Sequence, residues 1–342
     1  MKKSNRILFC LSLLSSCYLV IFAIQPIYAQ NAIFAPMSPN SGQALSTGLF
    51  ALREMDLHVH AGMEREVPMQ EWIDLSVKDG RKVLLILDHL ELYRMDANKL
   101  AEWVQKNNHK GWYLPGQAGH IALMRDFAEV QKRDDIICFQ GWEIYEGELD
   151  EGLEPEPMKM AEVLGWHISP NHGDTAPNGQ TLLKRARQLI ALQEQFPVPM
   201  ILFHPFTSRI GNLQRTAQSA GRDVSSITAA EYQFFQPGEQ AELIDLLRGR
   251  SIYIEVPNGL TGYWKNDLIR QTAIQDIRPL VEGGVKFTVS TDAHGVRTFD
   301  KPFNPELYCN DLGITLENTN AIVRELLAIR ARNTLKSRLT NN

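Results

Sequence analysis

From Arg53 onward the chain keeps a rhythm in which a short apolar run ends in polar residues and a helix-like segment follows. Met55, Leu57 and Val59 alternate with Asp56, His58 and His60, the period of a β-strand, so both imidazoles project from one face. Val83–Leu87 is a continuous V-L-L-I-L run, as expected of a strand buried on both faces, and it ends in Asp88 and His89. Further strands are predicted at Ile136–Phe139, Val163–Ile168, Pro199–Phe203, Ser251–Val256 and Val285–Val289. Between them the apolar spacing predicts helices over Gln70–Lys78, Leu92–Val104, Ile121–Gln131, Gln180–Gln195, Glu239–Leu247, Leu268–Ile277 and Glu317–Arg332. Phe206–Gly238 has few apolar anchors and predicts loops and short helices, and Pro279 is expected just beyond its helix.

Alternation of strand and helix with short connections predicts a parallel sheet covered by helices. The phosphate-cradling motifs G-x-G-x-x-G and G-x-x-x-x-G-K-[ST] are absent, as is the nucleophile elbow G-x-S-x-G. A closed α/β barrel is therefore favoured over an open dinucleotide-binding sheet.

Of nine histidines, six (His58, His60, His89, His167, His204 and His294) stand at or just past the C-terminal end of an apolar run, as do Glu143 and Asp292. In a parallel barrel that edge is where side chains converge on an active site. Each has an ordinary reading when taken alone: a turn residue for His204, a core histidine for His167, a helix cap for Asp88 or Asp292. Together they are ligands of the kinds that suit zinc, manganese or iron, and they exceed what one tetrahedral ion needs. Two or three divalent ions sharing a bridging carboxylate are expected. His109, His120 and His172 fall outside the pattern and read as surface residues.

Composition narrows the partners. With 342 residues, 44% hydrophobic and 22% charged, the chain can build a large core, and its net charge of −5 gives no reason to expect nucleic acid. Residues 1–29 read as a signal peptide. Lys2, Lys3 and Arg6 precede the apolar Ile7–Ile24, and Ile27, Tyr28 and Ala29 resemble a cleavage site. An exported, periplasmic or extracellular protein with no stable membrane contact is expected. A lipobox-like Leu14–Cys17 and an uncleaved anchor stand as alternatives. Residues 30–50 read as a linker or arm and 51–342 as the barrel domain. Cys138, inside a strand-like run, reads as a buried small hydrophobe, and the fold does not depend on disulfides.

D-L-H-V-H at 56–60, L-D-H at 87–89, G-W-E at 141–143, His167, H-P at 204–205, I-E-V at 254–256 and S-T-D-A-H at 290–294 resemble the polymerase and histidinol phosphatase superfamily, in order across Arg53–Val296. The resemblance implies a distorted (β/α)7 TIM-like barrel with a trinuclear metal site on its C-terminal face and phosphoesterase chemistry. It implies that His58, His60, Glu143 and Asp292 hold one ion, that Glu143 bridges to a second held by His167 and His204, and that His89 and His294 hold a third. Where that family has an Asp or His soon after H-x-H, this chain offers only Glu64 or Glu66, and Glu66 is taken as the ligand.

The chemistry expected of such a site is in-line attack on a small-molecule phosphate ester by a metal-activated hydroxide. Asp292, Asp88 and Glu143 are the candidate catalytic groups, and Arg94, Arg209 and Arg297 the candidate phosphate contacts. An amidohydrolase, or another ester or sugar hydrolase on the same metals, is an alternative. So is a non-catalytic exported metal- or carbohydrate-binding protein, with Trp103, Trp112, Trp142, Trp166 and Trp264 as a sugar platform.

Overall fold

Seven strands run parallel and neighbour one another in chain order: β1 (Met55–Val59), β2 (Val83–His89), β3 (Ile137–Ile144), β4 (Val163–His167), β5 (Met200–Phe203), β6 (Ile252–Pro257) and β7 (Lys286–Ser290). The computed structural model describes residues 49–107, 116–145, 153–168 and 177–340. The leader and all but the last two residues of the arm, His109, His172 and Trp112 lie outside them. The strands are apolar along nearly their whole length because both faces are covered, one by the barrel interior and one by the outer helices.

The ring closes beyond the ends of the regular strands. Val59 bridges Ala293 in parallel, His60 N–H donates to Ala293 O at 2.8 Å, and Asp292 N–H donates to His58 O at 3.0 Å. Asp56, fully buried on β1, reinforces this seam. Its carboxylate accepts from Thr291 N–H at 2.7 Å and Thr291 Oγ1 at 2.8 Å, and lies 3.1 Å from Arg81 Nε. Burial pushes the Asp56 carboxyl up, and Arg81 and Thr291 pull it back towards the ionised form. Arg81, buried in turn, stacks between Phe299 and Phe303 and pairs with Asp79 at 2.6 Å.

The longer helices on the outside are α1 (Met69–Lys78), α2 (Ala97–Asn107), α3 (Gly116–Val130), α4 (Gly179–Gln195), α5 (Pro205–Ser219), α6 (Glu239–Leu247), α7 (Asp267–Glu282) and α8 (Leu316–Thr340). Four expectations are corrected. The helix predicted over Leu92–Val104 is a single turn, Glu91–Arg94, followed by α2, because Asp96 Oδ1 accepts from Asn98 and Lys99 N–H at 2.9 Å and caps a new start. The loops and short helices predicted over Phe206–Gly238 begin instead with the four-turn α5, whose thin apolar stripe of Phe206, Ile210 and Ala217 left little periodic signal; only the rest of the segment has short helices. Pro279 lies inside α7, and the Gln275 carbonyl it leaves without an intrahelical donor accepts from Gln240 Nε2 at 3.0 Å. β3 runs on past Phe139, so Glu143 lies within the strand, level with His89.

α8 crosses the N-terminal ends of the strands. Asn318 bonds Val285 O and Phe287 N–H, Glu325 takes Tyr253 Oη at 2.9 Å, and Arg330 pairs with Glu162. One mouth of the barrel is thereby plugged and the other carries the histidines. Cys138 and Cys309 are both buried and free. No described helix is long and apolar enough to cross a membrane.

The Asp56 clasp makes a prediction. Replacing Asp56 by Ala leaves Arg81 partly uncompensated in the interior and should lower stability by about 3 kcal/mol. Asp56→Asn, which still accepts from Thr291 N–H, should lose less. Denaturant unfolding measures both, and an unchanged midpoint in D56A would remove the clasp from the seam.

Candidate metal centre

Unusual backbone aims several of the polar side chains at the open mouth. β1 and β2 slip register between Asp56 and Val59, a bulge that puts one extra residue on β1 in the stretch that holds His58. His204, between β5 and α5, is left-handed at φ 36°, and Asp292, after β7, is left-handed at φ 55°. Non-glycine residues avoid that region at about 1–3 kcal/mol each, and such strain gathers at functional sites. Both of these residues are candidate ligands.

Glu143 lies at the centre and is buried. Its Oε1 meets His167 Nδ1 at 2.6 Å and His204 Nε2 at 3.3 Å. Its Oε2 meets the Nε2 atoms of His89 at 3.0 Å, His58 at 3.4 Å and His60 at 3.5 Å. His58 and His60 face one another through their Nε2 atoms at 2.9 Å, with Asp292 Oδ1 3.6 and 3.5 Å away. Glu64 touches His60 Nδ1 and stands 3.0 Å from His89 Nδ1, and the His294 ring stacks on His60 with centroids 3.8 Å apart.

Three donor groups emerge, each with its atoms within 4.8 Å of one another: His58, His60 and Asp292; His89, Glu143 and His167; and His60, Glu64, His89 and His294. Ligands about 2.0–2.2 Å from a tetrahedral ion stand about 3.3–3.6 Å apart, close to the separations found here. Among the described residues, His60 Nδ1, His89 Nδ1, Glu143 Oε2 and both oxygens of Glu64 are buried and make no well-directed hydrogen bond, although Glu64 lies against His60 and His89 and Glu143 Oε2 lies 3.0 Å from His89 Nε2. Buried groups of this kind are rarely left unpaired, and a cation satisfies a carboxylate oxygen and an imidazole lone pair at once. The residues fit divalent metal. His204 reaches Glu143 but belongs to none of the three tight groups.

The same crowding shifts the protonation equilibria. Burial pushes the His58 ring down, but Glu255, Glu143 and Asp292 outweigh it and hold the ring well above the ordinary imidazole value. Burial is likewise overcome at His89 by Glu64 and Glu143, at His60 chiefly by Glu64, and at His204 by Glu143 and Asp292. Burial and the neighbouring rings push His167 and His294 down to about 4. The carboxylates move the opposite way. Burial raises Glu143, Glu64 and Asp292, yet the imidazoles around them carry all three well below the usual carboxylate range.

Several expected residues stand elsewhere. Glu66 is turned away and accepts Val296 N–H at 2.8 Å, so Glu64 takes the position expected of it. Asp88, expected as a catalytic group, braces the loop that carries Glu64: its Oδ1 accepts Met63 N–H at 2.6 Å and Glu64 N–H at 3.3 Å. The fit there is tight, since a Cβ on Gly62 would fall 1.9 Å from Asp88 Oδ2. Burial and the Glu64 charge push Asp88 up to about 7. Arg209 donates to Pro177 O and Glu231 O and lines a small apolar cavity with Asp276, and Arg94 lies 3.5 Å from Glu154. Arg297 is exposed three residues after His294 and has no hydrogen-bond or ion-pair partner among the described residues. His120, expected on the surface, is buried against Tyr93 and Trp142. Trp142, Trp166 and Trp264 are core residues, which removes them from any sugar platform.

Two contacts were not assigned roles from sequence: Glu255 beneath His58, and Ser208, whose Oγ lies 3.2 Å from His204 Nδ1. Glu255 stands in the sequence as a lone charge in the otherwise apolar run I-Y-I-E-V and as part of the I-E-V element of the resemblance, but without a role.

No family model matches the chain, and no curated protein matches it. Among solved structures it is similar to a histidinol phosphate phosphatase from Lactococcus lactis complexed with zinc, L-histidinol and phosphate, at 14% identity over 77% of this chain and 94% of that one, TM-score 0.44. It is also similar to a chain from a pair of metal-dependent tyrosine phosphatases of Bacillus subtilis and Streptococcus pneumoniae, at 14% identity over 78% of this chain and 95% of that one, TM-score 0.35. At this distance the chemistry of this chain rests on its own side chains.

Two predictions follow from the geometry. Without a cation the rings of His58, His60, His89 and His204 hold protons more tightly than a free imidazole, and an ion can take their lone pairs only by displacing them. Zinc binding at pH 7 should therefore release protons, and affinity should rise with pH as fewer protons compete. Calorimetry in buffers of different ionisation enthalpy measures the release; binding without proton exchange would exclude these rings as ligands. In a second test, Glu64→Ala should reduce the number of bound ions while Glu66→Ala leaves it unchanged. The reverse result would restore Glu66 as the ligand.

Proposed function

We propose that this chain is a metal-dependent phosphoesterase acting on a small-molecule phosphate ester at a di- or trinuclear centre. The observation that carries this reading is the Glu143 carboxylate, whose Oε1 faces His167 and His204 while its Oε2 faces His58, His60 and His89. A carboxylate whose two oxygens face different donors can hold two cations close together, the arrangement that neutralises the spread charge of a phosphoryl group in displacement. Divalent ions at such a centre supply Lewis-acid charge and make a water nucleophilic near neutral pH. Imidazole-rich ligation favours zinc, manganese or iron over magnesium.

The chain's own groups divide the remaining work. Glu143 and Asp292 stay ionised throughout the neutral range, so they hold positive charge and accept hydrogen bonds rather than deliver protons. Asp292 is 32% exposed and is the carboxylate of the cluster that faces the open mouth, where it can orient an attacking water. Arg297 extends from the same segment into solvent and can meet phosphate oxygens. The resemblance of D-L-H-V-H and S-T-D-A-H to the polymerase and histidinol phosphatase superfamily supports the reading. A mid-barrel lysine, which an amidohydrolase would use as a bridge, has its place taken by Glu143. The leader expected at residues 1–29 would carry the enzyme to a substrate outside the cytoplasm, which fractionation of cells expressing the full chain would check.

Replacing His58 by Ala should abolish metal-dependent hydrolysis of phosphate monoesters while the unfolding temperature falls by only a few degrees. A panel of phosphate esters, carboxylic esters and amides assayed with zinc, manganese and iron distinguishes the alternatives. Turnover retained in H58A would refute the assignment, and turnover confined to carboxylic esters or amides would refute the substrate class.

A further inference from the structure

Glu255 belongs to none of the three donor groups, yet it lies against the residues that build them. Its side chain, on β6, is fully buried. Oε1 lies 2.8 Å from His58 Nδ1 and accepts from Ser290 Oγ at 2.6 Å, and Oε2 accepts His204 N–H at 2.7 Å. One carboxylate thus joins the C-terminal ends of β1, β5 and β7 from beneath the centre.

Two consequences follow from the chemistry of an acceptor-only group. An accepting carboxylate oxygen 2.8 Å from His58 Nδ1 requires that nitrogen to carry the proton, which leaves the Nε2 lone pair for the side facing His60, Glu143 and Asp292. A ring in the other tautomer would present an N–H there and could not bind an ion. The second oxygen takes the backbone donor of His204, a left-handed non-glycine residue, and holds the strained turn that sends its ring to Glu143 Oε1. Ser290 Oγ, the third donor, fixes the rotation of the carboxylate and keeps both roles in register.

We propose that Glu255 is a positioning residue of the metal centre, fixing the tautomer of His58 and the backbone of His204 with one side chain and thereby setting metal affinity. The inference rests on the metal-centre reading above. Partners of this kind, behind a metal-bound histidine, typically change affinity by about 10- to 100-fold when removed.

Glu255→Gln is the test, because it keeps the volume and changes only the pattern of donors and acceptors. An amide has one accepting oxygen and one donating nitrogen, against three donors. With the nitrogen towards His58 the ring is driven into the tautomer that cannot bind; with the nitrogen towards His204 two donors collide and the turn is released. Zinc affinity, measured by competition with a chromophoric chelator, should fall about 10- to 100-fold in E255Q. In the His58→Ala background the same change should have a much smaller further effect, which a purely structural role would not produce. Should E255Q fold poorly, Ser290→Ala, which frees the carboxylate to rotate, should weaken zinc several-fold in a folded protein. Wild-type affinity in E255Q, full additivity with H58A, or unchanged affinity in S290A would each overturn the proposal. Failure of the wild-type chain itself to bind zinc, manganese or iron would overturn the metal-centre reading together with it.

Discussion

Burial of the Glu143 carboxylate is the constraint from which the open end of the barrel follows. An ionised carboxyl removed from water is strongly destabilising unless positive charge or donors surround it. Here five imidazoles stand between 2.6 and 3.5 Å from its two oxygens. Protonated rings compensate the carboxylate but repel one another: burial, aided by the neighbouring rings, pushes His167 and His294 down, while Glu64 and Glu143 hold His89 up. Exchange of those protons for divalent ions resolves the conflict, since an ion attracts carboxylate and lone pair alike. The centre is an electrostatic problem to which a metal is the natural answer.

The backbone holds this arrangement at its own expense. A bulge in β1 between Asp56 and Val59 and left-handed residues at His204 and Asp292 are conformations a regular strand end would not adopt. The barrel seam and Glu255 restrain all three. Asp292 N–H is bonded to His58 O, so the strain at one ligand is tied to the position of another, and Asp56 pins Thr291 just before it. Glu255 spans the remaining pair, His58 and His204. Strain and clasp occur together because each needs the other: the clasps have no cost to offset without the bend, and the bend would relax without the clasps.

The residues that were legible in the sequence are those whose placement depends on strand period alone. His58, His60, His89, His167 and Asp292 lie at strand ends in any parallel barrel, so alternation and run length locate them. The choice between Glu64 and Glu66 was not legible. It depends on how the loop wraps Asp88 at Gly62, a contact between segments more than twenty residues apart. Asp88 has the same lesson: sequence put it beside a ligand, and only the loop bonds reveal that its carboxylate is already committed. α5 escaped notice because a helix lying on one side of the barrel needs only a narrow apolar stripe, and Pro279 because the carbonyl it frees is met by a glutamine from another helix.

The two mouths of the barrel show how buried charge can be sorted into structural and functional kinds. At the plugged end Arg330 meets both oxygens of Glu162 and the Cys138 carbonyl, lies over the Phe139 ring, and Glu162 also accepts Gln140 N–H at 3.1 Å. Both carboxylate oxygens of Glu162 and the Nε and Nη2 of Arg330 have partners within the chain, and the pair closes the end without need of anything else. At the open end, among the described residues, the carboxylate oxygens of Glu64 and one of Glu143 are crowded by ring nitrogens yet make no well-directed hydrogen bond, and nor do Nδ1 of His60 and of His89. Burial and charge are comparable at the two ends; completeness is not. A charge network that the fold completes is architecture, and one that the fold leaves open towards solvent is arranged for a ligand the chain does not itself supply.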